Sequence, residues 1–367
     1  MLSWERPACW VRRKRRCGVA ELLADHTTLR VGGPARRWVE ADTEQALISA
    51  VADADAAGEP VLLLSGGSNM VVSDDGFDGV VVHVATRGIG GQVASCDLGE
   101  AACGGIMVDV AAGENWSAFV DWTVASELVG VEALAGIPGT VGSTPIQNVG
   151  AYGQDVSQTL WHVRTWDRRT RSPKLFSNAD CAFGYRSSRF KAEPDRYVVL
   201  GVTFQLTQGT RSSKVRYAEL ANRVGVEVGH KANLAAVRDA VLALRRGKGM
   251  VLDAEDHDTW SAGSFFTNPV VTPEVAAALP PEAPRFDAGG GLVKSSAAWL
   301  IDHAGFGKGY GVAPVTLSTK HALAITNRGG ARADEVIALA REIRDGVEAK
   351  WGVRLVPEPV FVGVSLD

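Results

Sequence analysis

No stretch of this chain stays apolar for the roughly 18 residues that a membrane-spanning helix needs. Cysteine is sparse, five in 367 residues. Cys9, Cys17, Cys96, Cys103 and Cys181 show neither paired metal-ligand spacing nor a CxxC pair, so no zinc-ribbon or dithiol redox motif is expected and a reducing, cytoplasmic compartment suits them. Positive charge is not in excess: 38 Lys and Arg face 42 Asp and Glu, a net charge of −4, which argues against a nucleic-acid binder. The glycine-rich turn "LSGGSN" at 64–69 is followed by no GK[ST] and is not GxGxxG, so it is neither a P-loop nor a dinucleotide fingerprint. No GxSxG elbow is present; Gly66-Gly67-Ser68-Asn69-Met70 comes nearest and lacks the last glycine. The acids of "DAEDHDTW" lie beside His257 rather than at the i, i+4 spacing of a helical metal site, and predict a solvated loop with no metal.

What the chain does hold is glycine, 41 residues of it, in clusters that suit tight turns or backbone brought close to a ligand. The first residues carry a basic cluster, Arg12–Arg16, without an apolar segment after it. They read as a disordered extension over 1–18 rather than a secretory signal. "HTTLRVGGPARRWVEA" predicts strand, turn, strand; "DTEQALISAVADADAAGE" a helix capped by Thr43 and stopped by Gly58; "PVLLL", "VVVHV" and "IMVDVAAG" strands. Trp116, Phe119, Val120, Val124 and Leu128 fall on one helical stripe. "LWHVRTW" and "YVVLGVTFQL" read as strands, and "NLAAVRDAVLALRRGKG" as a helix. A short strand at Ser264–Phe266, a proline-rich linker over "PEVAAALPPEAPRFDAGGG", a helix at "SSAAWLIDHAG", a strand at "HALAITN", a long helix from "ARADEV" and a closing strand "VRLVPEPVFVG" complete the reading. Helices and strands alternate irregularly, so the class is α+β.

Five segments carry candidate chemistry. "LSGGSN" ends a buried strand, and its consecutive N–H groups suit a phosphate; a hairpin turn is the plainer alternative. "GIPGTVGSTPIQNVGAYG" is a second glycine-rich segment, so two backbone-lined loops can clamp a long cofactor. "GYRSSRF" offers Arg186. "LVPEPV" sets Glu358 between two prolines in an apolar strand, either an edge residue or a carboxylate held toward a pocket. "SAGSFFTNPV" holds Ser264, which is a nucleophile, a proton donor or a turn residue; the residues alone do not choose.

Together these segments resemble one family, the UDP-N-acetylenolpyruvoylglucosamine reductases (MurB). The likeness runs from about Leu23 to Val364 on "TTLRVGGPA", "GGSNMVVSD", "GIPGTVGSTPIQNVGAYG", "GYRSSRFK", "SAGSFFTNP", "SSAAWLIDHAGFGKGYG", "LSTKHALAITN" and "VPEPVFVG", in that order. The resemblance implies a two-lobed PCMH-type FAD-binding domain plus a smaller α+β substrate-binding domain. The divisions it implies are lobe one over 19–88 with 353–367 returning to it, lobe two over 89–248, and the substrate domain over 249–352. It implies FAD and NADPH as cofactors, a small-molecule sugar-nucleotide substrate and a role in peptidoglycan precursor synthesis; the charge balance adds the expectation of no nucleic-acid partner, and the sequence does not fix whether the chain is a monomer. Ser264 is implied as proton donor, with Arg186 and Glu358 polarising the substrate. Ser65, Gly66, Gly67, Ser68, Asn69, Gly136, Ile137, Pro138, Gly139, Gly142, Gly150, Ala151 and Tyr152 are implied at the cofactor, and Tyr217, Lys248 and Asn268 at the substrate. Tyr217 in "VRYAEL" is similar to the substrate-capping tyrosine of the family's longer type. Where the family often has three glycines before Ser-Asn, Ser65 stands first here. A PCMH-type oxidase acting on another substrate is the alternative.

Overall fold

In a computed structural model, residues 21–93 and 105–367 are described; the expected basic extension lies outside them. The first elements are β1 (Ala35–Ala41), α1 (Glu44–Ala56), β2 (Val61–Leu64), β3 (Met70–Val72) and β4 (Phe77–Val84). Thr43 starts α1 by accepting from the Ala46 N–H at 3.1 Å, and Gly58 ends it at a left-handed φ of 66°, as caps of these types do. Strands β1, β4 and β2 form a parallel sheet in that order, and α1 buries Leu47, Val51 and Ala54 in the core it shares with them. The strand expected before the Gly-Gly-Pro turn does not form. Leu23–His26 is a single 3-10 turn, Arg30 takes a left-handed φ of 56°, and Leu29 and Val31 insert instead into the C-terminal core.

The middle of the chain builds β5 (Ile89–Val93), β6 (Gly105–Ala111), α2 (Trp116–Ala125), β7 (Leu128–Val129), β8 (Gly150–Ala151), β9 (Gln154–Asp155), β10 (Leu160–Asp167), β11 (Ser172–Ser177), α3 (Arg189–Ala192), β12 (Tyr197–Gln208), α4 (Ala218–Val224) and α5 (Leu234–Gly247). An antiparallel sheet runs β11-β10-β12-β6-β5, with β7 against β12. Trp116, Phe119 and Val120 on α2 are buried together, whereas Leu128 lies beyond the helix in β7. Trp116 Nε1 donates to the Leu134 carbonyl at 2.9 Å, which fixes the helix against the start of the glycine-rich segment.

The remainder forms β13 (Val270–Val271), α6 (Pro273–Ala278), β14 (Arg285–Asp287), β15 (Val293–Ser295), α7 (Ala297–His303), β16 (Gly311–Val312), β17 (Val315–Leu317), β18 (Ile325–Asn327), α8 (Ala333–Trp351) and β19 (Val360–Val362). Two small sheets, β13-β15-β14 and β16-β17-β18, share a core in which Val336, Ala340, Ile343 and Val347 of α8 lie with Leu300, Ile301, Phe265 and Phe266. The proline-rich stretch is ordered structure rather than a linker. Pro273 opens α6, where its missing N–H costs nothing, and the Arg285 guanidinium donates to the carbonyls of Ala276, Leu279, Pro280, Pro281 and Ala283. Ser264–Phe266 makes only an isolated bridge, Phe266 to Pro357. The loop around His257 is not wholly solvated: Asp258 is buried, accepts from the Thr319 N–H at 2.8 Å and pairs with Arg328 at 3.1 Å. Among the described residues no helix is long and apolar enough to cross a membrane.

The last strand reaches back across the chain. Strand β19 pairs in parallel with β3, Val360 opposite Met70 and Val362 opposite Val72. Prolines 357 and 359 confine regular pairing to these three residues.

Candidate active site

Glu358 gains its position from backbone on both sides. Its N–H donates to the Phe265 carbonyl at 2.9 Å, and its carbonyl accepts from Asn69 Nδ2 at 3.2 Å. Phe265 and Phe266 are fully buried, each such side chain contributing about 1.5–3 kcal/mol. They anchor the segment and leave half-buried Ser264 at its edge. Arg186 sits at the corner of a tight turn in which Gly184 and Ser187 exchange backbone hydrogen bonds. Its φ of 51° is a conformation that an L-residue adopts at a cost and that clusters at functional sites. The turn is tied to the glycine-rich segment through Asn148 Nδ2 to the Gly184 carbonyl at 3.1 Å and the Ser188 hydroxyl to the Ile146 carbonyl at 2.6 Å. The guanidinium donates to the Gly150 carbonyl at 2.7 Å and lies 3.4 Å from Glu358 Oε1.

Ser264, Arg186 and Glu358 thus face one cavity of about 300 Å³. Glu358 is 13% exposed. Burial raises its carboxyl pKa, and the nearby cations Arg186 and Lys191 pull it back only in part. A carboxyl in such a place holds its proton more readily than in water. Among the described residues the Ser264 side chain has no hydrogen-bond partner in this structure, while Lys191 Nζ is held by the Arg186 carbonyl at 3.1 Å.

The two glycine-rich segments meet at this cavity. Ser65, Gly67, Ser68, Asn69, Ile137, Pro138 and Gly150 line it. Gly66 packs its Cα side on Gly139, where an added Cβ would come within 2.5 Å of the Gly139 Cα. The Ser68 hydroxyl donates to the Pro138 carbonyl at 3.1 Å. Gly67 has φ 54°, and a Cβ there would lie 1.9 Å from the His26 carbonyl oxygen, so only glycine fits. Among the described residues, the N–H groups of Gly66, Gly67, Ser68 and Asn69 meet no backbone acceptor. Buried or half-buried donors need partners, and a run of them is what an anionic diphosphate binds. The residues therefore fit a dinucleotide cofactor.

Other expected site residues stand back from the cavity. Gly142 packs on Ala112 and donates to its carbonyl at 2.8 Å. Gly136 packs against Leu242 and Val251. Ala151 follows Gly150 in β8. Tyr152 stacks edge-on with Tyr217, ring centroids 5.5 Å apart, and Lys248 Nζ lies 5.7 Å from the Tyr152 ring. Burial pulls the Lys248 pKa down most, but its 2.7 Å bond to Glu219 and the nearby Tyr152, Glu219 and Tyr217 together raise it. Asn268 is used structurally: its Oδ1 accepts from the Ala297 N–H at 3.0 Å at the start of α7. Gln147, Lys191, Arg245 and Met250 also line the cavity, and no sequence motif singles them out. Gln147 accepts from Asn69 Nδ2 at 2.9 Å.

The chain is similar to known proteins in both sequence and fold. The model described as UDP-N-acetylenolpyruvoylglucosamine reductase, C-terminal domain, matches residues 255–362, and that described as FAD binding domain matches residues 35–169. The chain is 56% identical over 347 residues to the UDP-N-acetylenolpyruvoylglucosamine reductase of Cutibacterium acnes, covering 94% of this chain and 90% of that one. To the reductase of the same name from Streptomyces coelicolor it is 54% identical over 355 residues, covering 94% and 90%. The crystal structure of the corresponding reductase from Thermus caldophilus is similar in fold, with a TM-score of 0.63 at 24% identity over 94% of this chain and 98% of that one.

Proposed function

The chain belongs to the UDP-N-acetylenolpyruvoylglucosamine reductase family, and we propose that its cavity reduces the enolpyruvyl ether of UDP-N-acetylglucosamine to UDP-N-acetylmuramate, with FAD as cofactor and NADPH as electron donor. The observation that carries this reading is the convergence of Ser264, Arg186 and Glu358 with both glycine-rich segments on one cavity. FAD, when bound, would supply the two-electron chemistry that links NADPH oxidation to reduction of the enolpyruvyl double bond at its β-carbon.

The residues do the rest. The N–H groups from Gly66 to Asn69, with Ile137 and Pro138 opposite, hold the cofactor. Arg186 turns its guanidinium from Glu358 to the substrate carboxylate, where negative charge gathers once the β-carbon has been reduced. Glu358, held in the cavity 3.4 Å from the Arg186 guanidinium, polarises the same region of the substrate. Ser264 Oγ then gives its proton to the α-carbon as general acid. A serine hydroxyl is a weak acid, and it serves because the carbon it protonates is strongly basic. Lys248 and Tyr217 take the diphosphate of the sugar nucleotide, with Asn268 supporting the loop that carries Ser264. The product feeds peptidoglycan precursor synthesis in the cytoplasm, and so cell shape and division.

Absorbance tests the reading. The purified protein is expected to be yellow, to bleach with NADPH under anaerobic conditions, and to recolour on addition of the enolpyruvyl sugar nucleotide. Recolouring by oxygen but not by that nucleotide would make the chain an oxidase and overturn the proposal.

A further inference from the structure

Arg186 has more to do at this cavity than one guanidinium can do at once. It faces Glu358 at 3.4 Å and donates to the Gly150 carbonyl at 2.7 Å. In the proposed reaction it turns toward the substrate carboxylate. Glu358 does not follow, because its backbone is tied to Phe265 and Asn69. A carboxylate only 13% exposed, left without its cation and beside a second carboxylate, is costly. Another positive group has to answer it.

Lys191 is placed for this. It stands in α3, where the Ser188 hydroxyl accepts from its N–H at 3.2 Å and the adjoining Phe190 is buried. These contacts fix the base of the side chain. The four-carbon stem is flexible, and the ammonium offers three donors. Its Nζ rests on the carbonyl of Arg186 itself at 3.1 Å, on the residue held at a φ of 51°. Lys191 and Glu358 line the same cavity. Among the described residues, the charged groups that act on Glu358 are Arg186 and Lys191, and no other carboxylate is among them. The third cation lining the cavity, Arg245, donates instead to the Met250 carbonyl at 2.8 Å. Asn69 and Phe265, which hold Glu358 from either side, are neutral.

We propose that Lys191 is a positioning residue that takes over as counter-charge to Glu358 while Arg186 holds the substrate. This rests on the reading that Arg186 serves the substrate carboxylate. The exchange is local. As Arg186 turns away, the Lys191 ammonium leaves a carbonyl for the carboxylate. Glu358 then keeps its place and a partner in both states.

The test is the pH dependence of flavin recolouring by the enolpyruvyl nucleotide, in FAD-loaded protein carrying Lys191→Met, Lys191→Gln or Lys191→Arg. Methionine removes both charge and donor. Glutamine removes the charge and keeps a donor for the Arg186 carbonyl. Arginine keeps both. Loss of a nearby cation raises a carboxyl pKa. The ionisation that Glu358→Gln removes from the wild-type profile is therefore expected to move up by about one pH unit in both neutral variants, and to stay near its wild-type place in Lys191→Arg. The Kd of the nucleotide for the oxidised protein, measured by calorimetry over the same pH range, is expected to show the same displacement without turnover. In a Glu358→Gln background, adding Lys191→Met is expected to change the rate by less than about twofold, since no charge is left to answer. A uniform slowing with the ionisation unmoved, worst in Lys191→Met and rescued by Lys191→Gln, would make Lys191 a support for the turn and overturn the inference. So would equal losses with and without the Glu358 carboxylate, or a wild-type profile from which Glu358→Gln removes no ionisation. These results leave the function standing. Wild-type protein that does not recolour with the nucleotide would overturn the function instead.

Discussion

Glu358 shows how a single residue can carry a pH signature that separates its role from its packing. Its carboxyl is buried and its pKa is raised, with Arg186 and Lys191 opposing the effect. In the unfolded chain a glutamate ionises near pH ~4.3. The folded state therefore binds more protons than the unfolded state between that value and the raised one, and stability falls as pH rises through the window. Glu358→Gln lacks this loss. Its melting temperature relative to wild type is expected to increase as pH rises through the window and then level off, while turnover drops. Calorimetry at several pH values checks this; a difference that stays constant with pH would mean that Arg186 fully offsets the burial. At this scale much was legible in advance. Ser264, Arg186 and Glu358 each lie in a short run of distinctive residues, and the structure brings all three to one cavity. Arg245 was not legible, because a basic pair at a helix end is ordinarily a solvated last turn, and only the packing of Gly136 and Met250 around it sets it apart.

Loops and helices show where local pattern is enough and where it is not. Helices α1, α2, α5 and α8 follow from apolar periodicity and from caps at Thr43, Asn115 and Asn233. Strand β3 was hidden, because it is three residues long and its partner lies near the opposite end of the chain. Helix α6 was hidden by prolines that usually signal a linker. The glycine loop after β2 gives a direct prediction. Gly67→Ala forces a Cβ to 1.9 Å from the His26 carbonyl at φ 54°, so the loop must move; such strain costs about 1–3 kcal/mol. Flavin content is expected to fall sharply while the far-ultraviolet circular dichroism stays the same, and full flavin retention would show that the loop does not hold the cofactor. Helix α4 gives another. Tyr217 caps it and Glu219 on its first turn holds Lys248 at 2.7 Å, so an arriving diphosphate must displace that carboxylate. Glu219→Ala is expected to lower the KM for the sugar nucleotide by no more than about fivefold, since a part-exposed pair is worth ~0–1 kcal/mol. The gain should vanish in high salt, where such pairs are screened. An increase in KM would show that Glu219 supports the start of α4 at Tyr217 rather than competing with the ligand.

On the scale of the whole molecule, the cavity draws on segments from nearly its full length: the turn after β2, the glycine-rich segment before β8, the turn at Arg186, the end of α5, Ser264 and the run into β19. The last of these is the tie, since Glu358 bonds to Asn69 on one side and Phe265 on the other. No local pattern predicts this assembly. Only the ordered run of motifs across the chain pointed to it, and that run carries a family's topology rather than a derivation of it. The assembly makes sense of Ser264, which belongs to the C-terminal core yet faces loops of the N-terminal part. The most direct test is to follow the two half-reactions of Ser264→Ala separately under anaerobic conditions. A proton donor to carbon is needed only after hydride has been delivered. Bleaching by NADPH is thus predicted to stay within about twofold of wild type, with recolouring by the enolpyruvyl nucleotide slowed by about 10²–10⁴-fold or more. Recolouring at the wild-type rate would reduce Ser264 to a turn residue and contradict the mechanism.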